Sequence, residues 1–440
     1  MVDILVLGAT GFTGRLITRY LASHPQRSSF SLALGVRSKP RGEALRRTLG
    51  LDDGVQLVQV DVTRYEEVEA AVKDAKVVIN AVGPYWRWGT GVVRACAVHG
   101  KRYVDLSGEP HFARRIIDLY DYLATKTGAI IVPACGFDSL PADITVYLSN
   151  QTLKRKLGPE VELGLSQTFY DVYLPGASGG STATILSTFS EAPRVRVDEA
   201  HRDYALSPVR GAPSPGFRLA TRVPFSSPAK YGAMFAMGRL NRSIVQRTFG
   251  LNQFALTSAN ALYGEQRVRE TVERLRPLAY GPHFRYAEYI VPRSGSFFSA
   301  ALMSTLLAAA FSLMLIAPVR WLVSKLFPQP GEGASDKAME KGYLNATNYT
   351  VTATSPETWA KTVMRVQGDP GYLRTAAMIS ECALGLLLEE ASLPYTARSG
   401  GVLTPATALG DVIVRRLQAT GKFEFESEVV AGVEESRKER

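Results

Sequence analysis

Three glycines spaced three apart carry the first recognisable chemistry. Gly8, Gly11 and Gly14 stand in Gly8-Ala-Thr-Gly-Phe-Thr-Gly14, after the aliphatic run 4–7 and before Leu16, Ile17, Tyr20 and Leu21 at helical spacing. A buried strand therefore feeds a helix through a turn almost free of side chains. There the first peptide N–H groups of the helix lack internal partners and carry the positive end of its dipole. A pyrophosphate suits that place. Gly8 permits the tight turn, Gly11 the close approach, and Gly14 the packing of helix on strand. Thr10, Phe12 and Thr13 complete the loop. Arg15 follows Gly14, so no G-K-[ST] closes the motif and a P-loop is excluded.

The next strand, 30–36, ends at Arg37-Ser38-Lys39 with Arg41 beyond. In a dinucleotide-binding sheet this end faces the adenine ribose. An acid there binds the 2′-hydroxyl of NAD, whereas arginine accommodates the 2′-phosphate of NADP. Arg37 and Ser38 therefore point to NADP(H) over NAD(H). Asp61 and Val62 follow the third strand, 55–60, with Asp61 either near the adenine or capping the helix from 65. Ala81, Val82, Gly83 and Pro84 follow the fourth strand and are small enough for the backbone to lie against a cofactor.

Four polar residues after later strand ends are weak catalytic candidates: Asp105, Glu109, Asp138 and Ser139. Ligands collect at that edge of an α/β sheet. The alternative is that such residues cap helices and tie turns. Tyr122 and Lys126 form a Y-x-x-x-K pair, with Ser107 upstream, but Gly128 and a strand follow at once, which places the pair at the far end of the sheet. His99 precedes Gly100 at a helix end, and no proton donor stands out. Residues 178–182 repeat the small, hydroxyl-rich chemistry of the opening turn. They suit either a carbonyl or carboxamide ligand or a plain helix cap.

The elements behind these residues alternate strand and helix up to about 150, as expected for a parallel sheet covered by helices. Beyond that the pattern changes. Extended runs at 161–173, 343–354 and 362–367, an irregular stretch at 197–230 and a tail strand at 422–430 suggest a largely antiparallel α+β unit. The expected class is α/β, with a dinucleotide-binding domain over 1–150. A substrate or dimerisation domain covers 151–395. A C-terminal part, 396–440, holds a helix at 406–419 that returns to the first domain, then a charged tail.

Composition bounds the class. Hydrophobic residues make up 46% and charged residues 21%, which is ordinary for a globular chain. Basic residues number 51 and acidic 41, a net +10 that favours anionic partners, yet no basic block with interleaved aromatics suggests nucleic acid. Cys96, Cys135 and Cys382 lie far apart, without disulfide or metal spacing, and fit a reducing compartment. The N-terminus lacks the pattern of a secretory signal, so secretion is not expected. Residues 294–319 carry no charge, and Arg320, Trp321 and Lys325 follow. This hydrophobic segment, 297–327, reads as a spanning helix, a monotopic anchor on a membrane or lipid droplet, or a buried or dimer-forming helix.

Taken together, several pieces resemble the saccharopine dehydrogenase-like oxidoreductases, a family that includes trans-acting enoyl reductases. They are Gly8-Ala-Thr-Gly-Phe-Thr-Gly14, Asn80-Ala-Val-Gly-Pro84, Tyr103-Val-Asp-Leu-Ser-Gly-Glu109, Gly136-Phe-Asp-Ser-Leu-Pro141, Gly368-Asp-Pro-Gly-Tyr372 and Gly401-Val-Leu-Thr-Pro405. The resemblance implies a Rossmann domain, a nicotinamide cofactor and a second α+β domain. Some members are similar to membrane or lipid-droplet proteins. Three functions stay open: an NADPH-dependent reductase acting on C=C or C=O of a lipid-like or polyketide substrate, a saccharopine dehydrogenase acting on a C–N bond, and a non-enzymatic membrane protein that retains the Rossmann module.

Overall fold

The computed structural model describes residues 1–430 apart from 138, 263, 264 and 330. Its strands are β1 (Val2–Leu7), β2 (Leu32–Val36), β3 (Gln56–Gln59), β4 (Ala75–Asn80), β5 (Arg102–Asp105), β6 (Ile130–Val132) and β7 (Leu163–Tyr173). They continue as β8 (Thr221–Arg222), β9 (Tyr231–Met234), β10 (Arg285–Ile290), β11 (Tyr343–Thr352), β12 (Trp359–Gln367), β13 (Gly401–Val402) and β14 (Phe423–Val430).

The first sheet runs β13-β6-β5-β4-β1-β2-β3. All its pairings are parallel. Ile4 and Val6 face one hydrophobic cluster and Leu5 and Leu7 face another. This is why the strands read as unbroken aliphatic runs: both faces are covered. Helices Tyr85–Val98 and Pro110–Thr127 cover one face. Helix Phe12–Ala22 covers the other, together with Leu373–Leu388, which packs on both β4 and β5. That last helix lies within the stretch 151–395, yet it rests on the first sheet. Glu381 on it is buried and receives hydrogen bonds from Tyr20 and from Arg416, which ties three helices together.

The second sheet runs β14-β12-β11-β7-β10-β9-β8 and is antiparallel except between β7 and β10. A seam of hydroxyls and amides crosses it, including Ser166–Thr350 at 2.7 Å, and Ser149 of helix Ser139–Leu157 joins it at Asn348, 2.7 Å away. The helix expected over 406–419 is two helices, Pro405–Ala408 and Asp411–Ala419, because Gly410 between them has φ +49° and turns the chain. Among the described residues no single helix is long and apolar enough to cross a membrane. Helices Phe297–Leu313 and Ala317–Leu326 meet that test only as a pair, bent by 106°.

Candidate functional site

The sheet order reverses between β1 and β4, which opens a crevice above their carboxyl ends. Leu7 and Asn80, the last residues of the two strands, are level. Gly8 has φ +77°, and a Cβ there would stand 2.8 Å from Val82 Cγ2. A Cβ on Gly14 would stand 2.1 Å from the Gly8 carbonyl oxygen, so helix and strand touch through glycine alone. Gly11 is the N-cap of helix Phe12–Ala22 and no side chain caps that end. The loop of residues 8–14 and the loop of residues 81–84 thus face each other across a bare helix N-terminus. This is a cradle of pyrophosphate size and polarity.

On the β2–β3 side, Arg37 is exposed and Ser38 is the N-cap of helix Lys39–Leu49, with its hydroxyl making no capping bond. A guanidinium, a hydroxyl and a helix N-terminus converge there, and that set suits a phosphomonoester. Asp61 lies close to Arg37, but its carboxylate accepts from the Thr63 N–H and hydroxyl at 3.0 and 2.8 Å. Those bonds hold its pKa below the usual carboxylate range, and Arg37 adds to the effect. The residues present therefore fit NADP(H).

The strand-end acids have defined duties. Asp105 Oδ1 accepts the N–H groups of Ser107 and Ala134 at 2.8 and 2.9 Å, and its Oδ2 accepts from the Tyr103 hydroxyl at 2.8 Å. It is fully buried, and burial pushes its pKa up to about 6. The Glu109 carboxylate accepts the N–H groups of Tyr85 and Trp86 at 2.8 and 2.7 Å, which caps helix Tyr85–Val98 from outside. Burial pushes it up to about 7. Ser139 is buried, with its hydroxyl on Asn241 at 3.2 Å, and Asn241 in turn donates to Glu288 at 2.8 Å. Asp138 lies outside the described residues. Tyr122 is 76% exposed on helix Pro110–Thr127, with the Lys126 ammonium over its ring, far from the crevice.

Tyr372 is the residue that sequence reasoning passed over. It follows Asp369, whose buried carboxylate accepts the N–H groups of Gly371, Tyr372 and Leu373 at 3.2, 2.8 and 3.3 Å. That tie fixes the turn ahead of helix Leu373–Leu388 and aims the phenol at the crevice. The ring packs edge-on against Phe12, centroids 5.3 Å apart, beside the glycine turn. Its oxygen accepts the Ser178 N–H at 2.7 Å and lies 2.8 Å from the Ser181 hydroxyl. Ser178 caps helix Gly179–Ser190, as the plain-cap reading of residues 178–182 has it. Thr184 on the same helix lies 3.7 Å from the place of a Cβ on Gly83. The phenol therefore touches the glycine-turn side of the cradle and the start of a helix whose Thr184 stands by the loop of residues 81–84. The signal in the sequence was the run Gly368-Asp-Pro-Gly-Tyr372, which stood there only among the pieces that carry the family resemblance.

Comparison with known proteins agrees with this geometry. Residues 4–132 match the family model described as the saccharopine dehydrogenase NADP binding domain. A Mycobacterium tuberculosis protein of the trans-acting enoyl reductase group is 35% identical over 438 residues, covering 95% of this chain and 96% of the relative. The trans-acting enoyl reductase of Mycobacterium ulcerans is 33% identical over 443 residues, with the same shares. Saccharopine dehydrogenase (L-Glu forming) from Saccharomyces cerevisiae superposes with a TM-score of 0.50 at 14% identity, over 98% of this chain and 100% of that one, a likeness of fold. With the cradle, the Arg37 corner and full-length relatives in agreement, the chain belongs to the saccharopine dehydrogenase-like oxidoreductases, the family that includes the trans-acting enoyl reductases, and is an NADP-dependent oxidoreductase.

Proposed function

We propose that the protein reduces a carbon–carbon double bond conjugated to an acyl carbonyl, on a lipid-like or polyketide chain. The observation that carries this reading is the company of Tyr372. Phe12, Ser178 and Ser181 touch it, Val82 and Thr184 stand by the facing glycines Gly8 and Gly83, and all five are uncharged. A dicarboxylic amino-acid substrate calls for cations at this place. An enoyl chain needs only a hydride, an apolar bed and one proton. The names of the relatives point the same way.

NADPH, held by the loop of residues 8–14 and by Arg37, would supply the hydride, which the β-carbon of the substrate accepts. The π electrons then move onto the carbonyl oxygen as an enolate. The Tyr372 hydroxyl delivers its proton to the α-carbon. The phenolate left behind keeps the Ser178 N–H as a donor, at the positive end of helix Gly179–Ser190. Ser181 passes a solvent proton back to it. The balance is one hydride and one proton added across the double bond. Asp105 and Glu109 are given no step here: each buried carboxylate accepts two backbone N–H groups and ties loops together, whereas the Tyr372 oxygen accepts one and keeps its O–H proton to give.

The test is NADPH oxidation by purified protein with a water-soluble 2-enoyl thioester, set beside a dicarboxylic imine substrate. Turnover of the enoyl thioester is expected. Turnover confined to the imine would replace this reading with C–N chemistry.

A further inference from the structure

The strongest unexplained feature is the helical pair Phe297–Leu313 and Ala317–Leu326. Of the first helix only Ala300 and Ser304 are buried. Phe298 is 83% exposed, Leu302 60%, Leu306 61% and, on the second helix, Trp321 64%. Residues 308–313 are exposed without a break. Six consecutive residues exceed one and a half helical turns, so the distal part of this apolar helix stands clear on every side.

That all-round exposure says what covers it. A protein partner would cover one stripe of a helix and leave the opposite stripe polar. An apolar surface on all sides needs a medium that surrounds it. The charges agree. The segment itself carries none, while Arg293 stands before it and Arg320 and Lys325 lie on the returning helix beside Trp321. Cations and tryptophan at the border of an apolar segment suit the headgroup zone of an anionic bilayer. The bend suits insertion from one side. The Arg320 guanidinium donates to the Met314 and Leu315 carbonyls at 2.9 Å each and closes the turn.

We infer that this hairpin docks the protein on an anionic lipid bilayer, entering one leaflet without crossing, and that the same face carries the substrate entrance. The second part rests on the proposed enoyl reduction. Helix Ala317–Leu326 packs on helix Gly179–Ser190, whose Ile185 is 49% exposed one turn beyond Ser181. Leu174, 45% exposed, lies 3.4 Å from the place of a Cβ on Gly371, next to Tyr372. Exposed Ile185 and Leu174 thus stand on the hairpin's neighbour helix and beside the turn that carries the phenol. From the hairpin the chain then runs back over the cofactor loop: Arg15 donates to the Gly331 carbonyl at 3.1 Å, and a Cβ on Gly333 would meet the Phe12 ring. An acyl chain held in the leaflet would reach the crevice without crossing water.

The test is co-sedimentation of the full-length protein with phosphatidylcholine vesicles, with and without a minor share of phosphatidylglycerol. The variant F298E/L302E/L306E serves as control. Its side chains are exposed, so the melting temperature is expected to hold, while binding falls by about tenfold or more. Quenching of Trp321 emission by brominated lipid is expected in the wild type and lost in W321F. Equal binding by the triple variant, or no binding by either protein, would overturn the docking. So would a wild-type dimer that the variant converts to monomer, since a second copy would then own this face. A short soluble enoyl thioester, assayed without vesicles, separates the two readings. Turnover without vesicle binding refutes the docking alone, and vesicle binding without turnover refutes the reduction alone.

Discussion

The Tyr372 hydroxyl lies 2.8 Å from the Ser181 hydroxyl, although 191 residues separate them in the chain. The pair sits where a helix N-terminus meets the glycine turn, with Phe12 against the tyrosine ring. Replacing Tyr372 by Phe keeps the ring and removes the proton. General-acid loss typically costs about 10²–10⁴ in rate. We expect kcat to fall in that range for the enoyl thioester, with NADPH affinity held within about twofold. NADPH fluorescence and a solvent isotope effect on kcat check this. A Y372F enzyme with nearly full kcat would remove the phenol from the mechanism.

Gly11 and Gly14 should separate cofactor binding from folding. A Cβ on Gly11 would stand 3.3 Å from the Gly8 carbonyl oxygen, which the loop tolerates with a small shift. Gly11→Asp therefore keeps the fold, and an acid at a helix N-terminus is even favourable. Its carboxylate occupies the pyrophosphate place, and NADPH affinity is expected to fall about 100-fold. At Gly14 the same atom would stand 2.1 Å from that oxygen. Gly14→Ala must push helix from strand and costs roughly 1–3 kcal/mol of stability as well as binding. Thermal melts beside fluorescence titrations distinguish the two.

If Arg37 meets the 2′-phosphate, as its place at the strand end suggests, Arg37→Glu reverses that charge and puts an acid where the 2′-hydroxyl of NAD can be held. NADPH affinity is expected to fall about 10–100-fold, or roughly 1.4–3 kcal/mol, and NADH affinity to rise. Unchanged preference in paired titrations would move the phosphate contact elsewhere.

Asp143 offers a pH test of stability. It is fully buried, accepts the Ala406 N–H at 2.8 Å and receives the Thr248 hydroxyl. Burial pushes its pKa from 3.8 up to about 7. Between those values the unfolded chain releases a proton that the folded protein keeps. Folding stability from this group therefore falls as pH rises from about 4 to about 7 and stays low above. The span is up to about 4 kcal/mol, near three pKa units at about 1.36 kcal/mol each. Asp143→Asn cannot ionise. Its melting temperature relative to wild type should climb with pH across that window, whatever the constant offset from the changed hydrogen bonds. A pH-independent difference would refute the assignment.

The dinucleotide half of the site was legible because its determinants are local. Residues 8–14 encode strand, turn and helix within one short window, and Arg37 with Ser38 supplies a cation and a hydroxyl at a strand end. The parallel sheet followed from strand–helix alternation, and its aliphatic strands showed that both faces are covered. The chain's local pattern also marked 297–317 as apolar. Whether it would be buried, span or protrude depends on what packs against it, which periodicity cannot express.

The substrate half was not legible for the same reason. Asp105, Glu109 and Ser139 stand where ligands collect, but only the tertiary structure shows their hydrogen-bonding capacity taken up by Ala134, Tyr85, Trp86 and Asn241. Phe12, Ser178 and Tyr372 belong to three separate segments, and no spacing relates them. The sequence by itself determined which cofactor the first sheet can cradle, since a turn, a helix dipole and a charge are properties of neighbouring residues. Only the fold decided which hydroxyls and carboxylates gather beside the glycine turn and which are spent on tying loops, because those contacts join segments that lie far apart in the chain.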